Sequence, residues 1–119
     1  MAIVKRGSIV LIKYPFSDLS GYKARPAVIV MSDELLIKSD DVLCIFISSA
    51  LEQNKLPSDF ILMQNNPLFK KSGLKVDSVI RAHKIALLHK TLVLRNLGEL
   101  DSILMLELES RMKLALGIK

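Results

Sequence analysis

Short apolar runs separated by polar stretches fill most of the chain, and a helical period replaces them at its end. Ser8–Tyr14 is rich in β-branched residues and bounded by Gly7 and Pro15, which predicts a strand. Phe16–Lys23 contains Ser, Asp and Gly and reads as a loop. A second strand is expected from near Arg25. Pro26 lacks an amide hydrogen, so it should stand at the strand's first position or on an edge. Ala27–Met31 continues as a nearly unbroken apolar run, buried on both faces or close to it. Asp33–Asp41 is acidic and reads as a loop or one helical turn. Val42–Ser49, Phe60–Met63 and Asp77–His83 predict three further strands, with a polar connection over Leu51–Ser58. In the last of them Arg81 and His83 share a face, two residues apart.

The tail changes period. From Asp101 as N-cap, Leu104, Leu108, Met112 and Ala115 recur at helical spacing, and Gly117 follows as the stop. Glu107 to Arg111 and Glu109 to Lys113 stand four apart in the favoured order. Mixed charge on the outer face makes the apolar stripe a core or subunit contact and not a membrane-surface helix. About five strands and one terminal helix predict a mainly β fold, a small barrel or two packed sheets. No β-α-β alternation is present, which argues against a doubly wound nucleotide-binding fold.

The 119 residues fit one domain, 1–119, and half of them are apolar. No apolar run approaches the roughly 18 residues of a membrane span, and the first residues do not read as a signal peptide. A cytoplasmic protein is expected, with its one cysteine, Cys44, as a small buried hydrophobe. The net charge of +5 is unevenly spread: residues 1–25 carry +4, 70–95 carry +6, 26–69 carry −4 and 96–119 carry −1. Two basic segments far apart in sequence can converge on one face, the footprint of a polyanion partner, or simply solubilise the surface.

Two histidines and one cysteine make no metal-ligand set at any usual spacing, and neither a glycine-rich phosphate loop nor a nucleophile elbow is present. No metal or cofactor is therefore expected. RNA cleavage needs neither, because the ribose 2′-hydroxyl is the nucleophile. It needs in-line positioning, a proton acceptor, a proton donor to the leaving oxygen and positive charge at the phosphorus. Arg25 and Arg81 suit the last role, since a guanidinium is permanently charged and grips two oxygens. Each could equally pair with a carboxylate of 33–41.

The stretch Gly7–Val30, with its Gly-Ser-Ile-Val strand, polar loop and Arg25-Pro26-Ala-Val-Ile strand, resembles the N-terminal signature of the MazF/PemK/Kid toxins. Ile47-Ser48-Ser49, Leu74, Asp77–Arg81 and the terminal helix match later segments in order, so the resemblance covers nearly the whole chain. It implies a small SH3-like β-barrel with a C-terminal α-helix, of the MazF/PemK/CcdB type. It also implies a homodimer that binds RNA in a groove across its interface. The implied function is that of a type II toxin: metal-independent, sequence-specific cleavage of single-stranded RNA to 2′,3′-cyclic phosphate and 5′-hydroxyl ends. The implied partner is an antitoxin whose acidic, partly disordered segment blocks the groove.

The resemblance also assigns residues. Arg25 matches the principal catalytic arginine, Ser48 the catalytic Thr/Ser, and Arg81 a second arginine used by some members. His83 replaces an aspartate of those members and is a candidate proton-transfer group or a structural histidine. Strand alternation would place Ser48 and Ser49 on opposite faces, so one of them should reach the site. Asp18, Tyr22, Lys23, Ser49 and Lys84 are the candidates for RNA contact, while His89 reads as surface. Two rival functions stay open on the sequence: a same-fold toxin that acts on DNA gyrase, as CcdB does, and an RNA-binding module whose catalytic set has decayed.

Overall fold

The computed structural model describes residues 4–14 and 23–119. Six strands appear in chain order: β1 Ser8–Tyr14, β2 Lys23–Ile29, β3 Asp41–Ser48, β4 Asp59–Leu62, β5 Ser78–His89 and β6 Val93–Glu99. A short helix, α1 Asp33–Lys38, joins β2 to β3, and the terminal helix α2 spans Ser102–Leu116. All strands form one antiparallel sheet in the order β4-β5-β3-β2-β1-β6. The mainly β fold with a C-terminal helix is thus as expected. The sheet curls without closing: no β4–β6 ladder is present among the described residues.

Both faces of the sheet are covered, which explains why β2 is apolar without alternation. Ile9, Val28, Ile45 and Ile80 face one core together with Phe60 of β4 and Met105 and Leu108 of α2. Leu97 of β6, at the far edge, packs on the same cluster, so the two ends of the sheet curve toward one another. Val10, Ile12, Ala27, Ile29 and Cys44 face the other core, against Leu36 of α1. Each fully buried aliphatic of this kind contributes roughly 1.5–3 kcal/mol.

β5 changes register along its length. Its start pairs with β4 and with Ile47 and Ser48 of β3, its end with β3 from Ile45 back to Asp41. Between Ile45 and Ile47 the partner advances from Ile85 to Ile80, so β5 carries extra residues around Arg81–Lys84 and bulges there. The helix ends follow the sequence closely. Asp101 caps α2 by accepting from the Ile103 amide, and Gly117 closes it at φ 72°. Glu107 pairs with Arg111 at 2.7 Å, but Glu109 turns to Arg6 at 2.8 Å, not to Lys113.

Two glycines pin the loop after β4 to β6. A Cβ on Gly98 would lie 2.5 Å from the Lys71 carbonyl oxygen and 2.6 Å from the Ser72 carbonyl carbon. One on Gly73, already at φ +74°, would lie 2.0 Å from the Leu97 carbonyl oxygen. These neighbours are backbone and cannot swing aside. Gly98→Ala is expected to cost about 1–3 kcal/mol, as overpacking does, read as a lower urea midpoint at unchanged m-value.

Candidate active site

The ladder between β2 and β3 begins at Ile29–Cys44 and stops at Ala27–Phe46. Pro26, the next residue, has no amide hydrogen to extend it. Sequence reasoning placed this proline at a strand start or an edge. It is instead the fourth residue of an interior strand, at the point where the neighbour on one side has let go. Carried two places further, the same register would set Arg25 opposite Ser48. The strands part there, and a cavity of about 350 Å³ opens between them and the loop after β4.

Arg25, Ser48, Ser49, Lys75 and Arg95 line this cavity over an apolar floor that includes Leu11. Among the described residues three cations and no carboxylate or imidazole line it, so it favours an anion. They come from both basic segments, which converge here as the charge distribution suggested. A larger hollow of about 440 Å³ beside Lys5 and Lys71 lacks this character. There Lys5 meets Glu99 at 3.3 Å and Lys71 meets Asp101 at 3.2 Å, so the charges are already neutralised.

Arg25 is held by stacking. Its guanidinium carbon lies 5.0 Å from the centre of the Tyr14 ring, which meets Phe46 edge-on at 5.0 Å and 86°. Its Nε is buried and has no hydrogen-bond partner among the described residues. A buried unmet donor costs about 1–3 kcal/mol, and such orphans call for a reason, a functional role among them. The Ser48 hydroxyl oxygen accepts from the Ala50 amide at 3.0 Å, which leaves its hydrogen to donate elsewhere. Ser49 lies past the end of β3, so strand alternation does not separate it from Ser48, and both reach the cavity.

Arg81 and His83 do not line this cavity. Arg81 Nε donates to Asp59 Oδ1 at 3.2 Å, and His83 Nδ1 lies 3.7 Å from the same oxygen. The Asp59 side chain is 0% exposed and also accepts from the amides of Leu56 (2.8 Å) and Lys55 (3.1 Å). Burial pushes this carboxyl up, but the two amides and the Arg81 guanidinium together outweigh it and hold it below the usual value. Arg111 of α2 donates to the Asp59 main-chain oxygen at 2.8 Å, tying the helix to this cluster. Asp59 was missed as a functional or structural centre, since its sequence context, Pro-Ser-Asp, reads only as a turn.

The remaining candidates scatter. Lys23 is exposed at the start of β2, and Lys84 is exposed in the bulge of β5. Asp18 and Tyr22 lie outside the described residues. His89 is exposed, and its Nδ1 accepts from the Thr91 amide at 3.3 Å. Cys44 is fully buried at the sheet centre, and burial pushes its thiol up to about 12. Lys75 and Arg95 were read from sequence only as part of a basic segment. The glycines that hold their walls together were the available signal.

Fold and cavity together define a small, mainly β protein that presents an anion-receiving site where its sheet splits. The chain belongs to the PemK-like, MazF-like toxins of type II toxin–antitoxin systems, whose family model matches residues 5–116. Among solved structures it is similar to an endoribonuclease in complex with its cognate antitoxin from a mycobacterial species. That match has 21% identity, covers 98% of each chain and has a TM-score of 0.75. It is also similar to Mycobacterium tuberculosis toxin MazF-mt6, at 16% identity over 94% of this chain and 98% of that one, TM-score 0.75. A MazE-MazF structure from Deinococcus radiodurans matches at 16% identity over 99% and 100%, TM-score 0.75. Likeness at these identities establishes the fold. No curated protein matches the chain in sequence.

Proposed function

We propose that this toxin is an endoribonuclease that cuts single-stranded RNA at the Arg25–Ser48 cavity by attack of the ribose 2′-oxygen. The observation that carries the reading is the buried Arg25 Nε, unpartnered among the described residues, at a split in the sheet where the described lining holds no carboxylate. In the reaction the 2′-oxygen bonds to phosphorus and the bond to the 5′-oxygen breaks. The products are a 2′,3′-cyclic phosphate and a 5′-hydroxyl, with no outside nucleophile. Arg25 stabilises the charge that builds on the non-bridging oxygens, and Ser48 donates its free hydroxyl hydrogen to one of them. Ser49 contacts the RNA at the cavity mouth. The described walls supply charge and hydrogen bonds, and the proton acceptor is not among them.

In this reading Arg81 and His83 act through the Asp59 cluster as structural groups. His83→Ala is therefore expected to keep most cleavage activity, well short of the roughly 10²-fold loss that follows removal of a general acid or base. The partners proposed are a second copy of the chain and an antitoxin with an acidic segment complementary to the cavity's charge. No described helix is long and apolar enough to cross a membrane; a cytoplasmic setting is part of the proposal, since mRNA is the substrate.

The test is incubation of the purified protein with a long transcript in EDTA. Discrete fragments whose 5′ ends accept an adaptor only after phosphorylation support the reaction as written. An intact transcript, or fragments formed only on addition of a divalent metal, would overturn it.

A further inference from the structure

We propose that Lys75 and Arg95 form a second anion subsite, which grips an RNA phosphate neighbouring the one held by Arg25. The inference rests on the RNA-binding reading above and adds to it two residues from outside the segments that carry the family resemblance at Arg25 and Ser48.

The subsite is built by the two glycine contacts. Gly98 and Gly73 let the loop after β4 lie directly on the β6 backbone. Lys75 follows Gly73 by two residues, and Arg95 precedes Gly98 by three. The Lys75 carbonyl accepts from Gln64 Nε2 at 3.0 Å, which holds the loop from its other side. On β6, Arg95 stands opposite Leu11, and Leu11 stands opposite Pro26. Residues opposed across a ladder project from the same face, so Arg95 projects with Leu11 and Pro26 into the cavity, while Arg25, opposite Ile12, projects from the other side of the split.

Charge then decides what can sit there. Neither Lys75 nor Arg95 has a carboxylate partner among the described residues; exposed lysines such as Lys70 and Lys84 share that property, but only Lys75 and Arg95 of these line the cavity. Lys75 and Arg95 line the same cavity, and the backbone that carries them is fixed by glycine contacts that tolerate no Cβ. The cavity, at about 350 Å³, falls at the small end of the roughly 300–1,000 Å³ typical of ligand sites. That is room for more than one phosphoryl group. A single-stranded RNA backbone offers phosphates in series, so one can rest on Arg25 and the next on the Lys75–Arg95 pair. An apolar floor between them suits a base.

The experiment uses a fluorescein-labelled 2′-O-methyl oligouridylate of ten nucleotides, which cannot be cut because its 2′-oxygen is blocked. Binding to the intact protein is measured by anisotropy between 50 and 300 mM KCl, with Arg95→Gln, Lys75→Gln and, as a remote exposed cation, Lys38→Gln. For single strands the slope of log K against log[salt] falls by about 0.7 for each phosphate that the protein no longer neutralises. Arg95→Gln and Lys75→Gln are each expected to weaken binding several-fold and to flatten the slope by up to that amount, and Lys38→Gln to change neither. Arg95→Gln or Lys75→Gln variants that match Lys38→Gln would overturn the subsite, even if the wild type cuts RNA. A wild type that does not bind the probe overturns it as well. A wild type that binds with the expected slopes but leaves a natural transcript intact supports the subsite and defeats the nuclease reading.

Discussion

Arg25→Ala is expected to lower RNA cleavage by about 10²–10³-fold, the usual cost of removing one preorganised donor from a developing oxyanion. Its fold should survive. The interaction that Arg25 gives up is the stack on Tyr14, worth roughly 0.5–1 kcal/mol at a partly exposed site. Against that stands relief of the buried Nε, which has no partner among the described residues. The two terms are of similar size and opposite sign, so the melting temperature should move by no more than a few degrees. Arg25→Lys keeps the charge but loses the planar fork, and should recover only part of the rate. Single-turnover cleavage beside a thermal melt is the measurement. Cleavage within a few-fold of wild type by a folded Arg25→Ala protein would move the chemistry away from this cavity.

Asp59→Ala carries the largest expected loss of stability, about 3–5 kcal/mol, because it breaks a buried ion pair from one side only. The substitution strands the Arg81 guanidinium, 16% exposed, and two amides that the carboxylate now satisfies. Replacing both partners with apolar residues, as in Asp59→Leu with Arg81→Met, should recover much of that loss. The pH dependence follows from the lowered carboxyl. A group whose folded value lies below its unfolded one stabilises above the unfolded value and ceases to as pH falls through the folded value. Urea midpoints should therefore hold steady from neutrality to about pH 4 and drop below it. In the doubly apolar variant that acid drop should be smaller. An equal drop in both proteins would assign acid sensitivity to other carboxylates.

The sequence made the interior of this fold legible and left its edges obscure, for a physical reason. Apolar runs such as 27–31 and 42–47 could be buried only as strands, and their burial on both faces matches the two cores. β6 was not foreseen. It contains Asn96 and Gly98, both poor strand formers, and its register against β1 shifts twice, so no period of two survives in its residues. The second half of β5 was hidden by its bulge in the same way. For the site, resemblance led to Arg25 and Ser48, which both border the split between β2 and β3. It led equally to Arg81 and His83, which turn to an aspartate that no local pattern marks. Which carboxylate an arginine chooses is a property of the packed chain: Glu109, four residues before Lys113, pairs with Arg6, 103 residues away in sequence.

The sheet's central thiol offers a clock. Cys44 is the chain's one cysteine, is fully buried, and has its ionisation pushed up to about 12. Since the thiolate is the reactive form, the native molecule should be essentially inert to thiol reagents at neutral pH. Labelling then proceeds through transient separation of β3 from its neighbours, and every modified molecule counts one such event. A partner that seals the split between β2 and β3 would slow that count without touching the sulfur, so occupancy of the cavity could be timed from the opposite core.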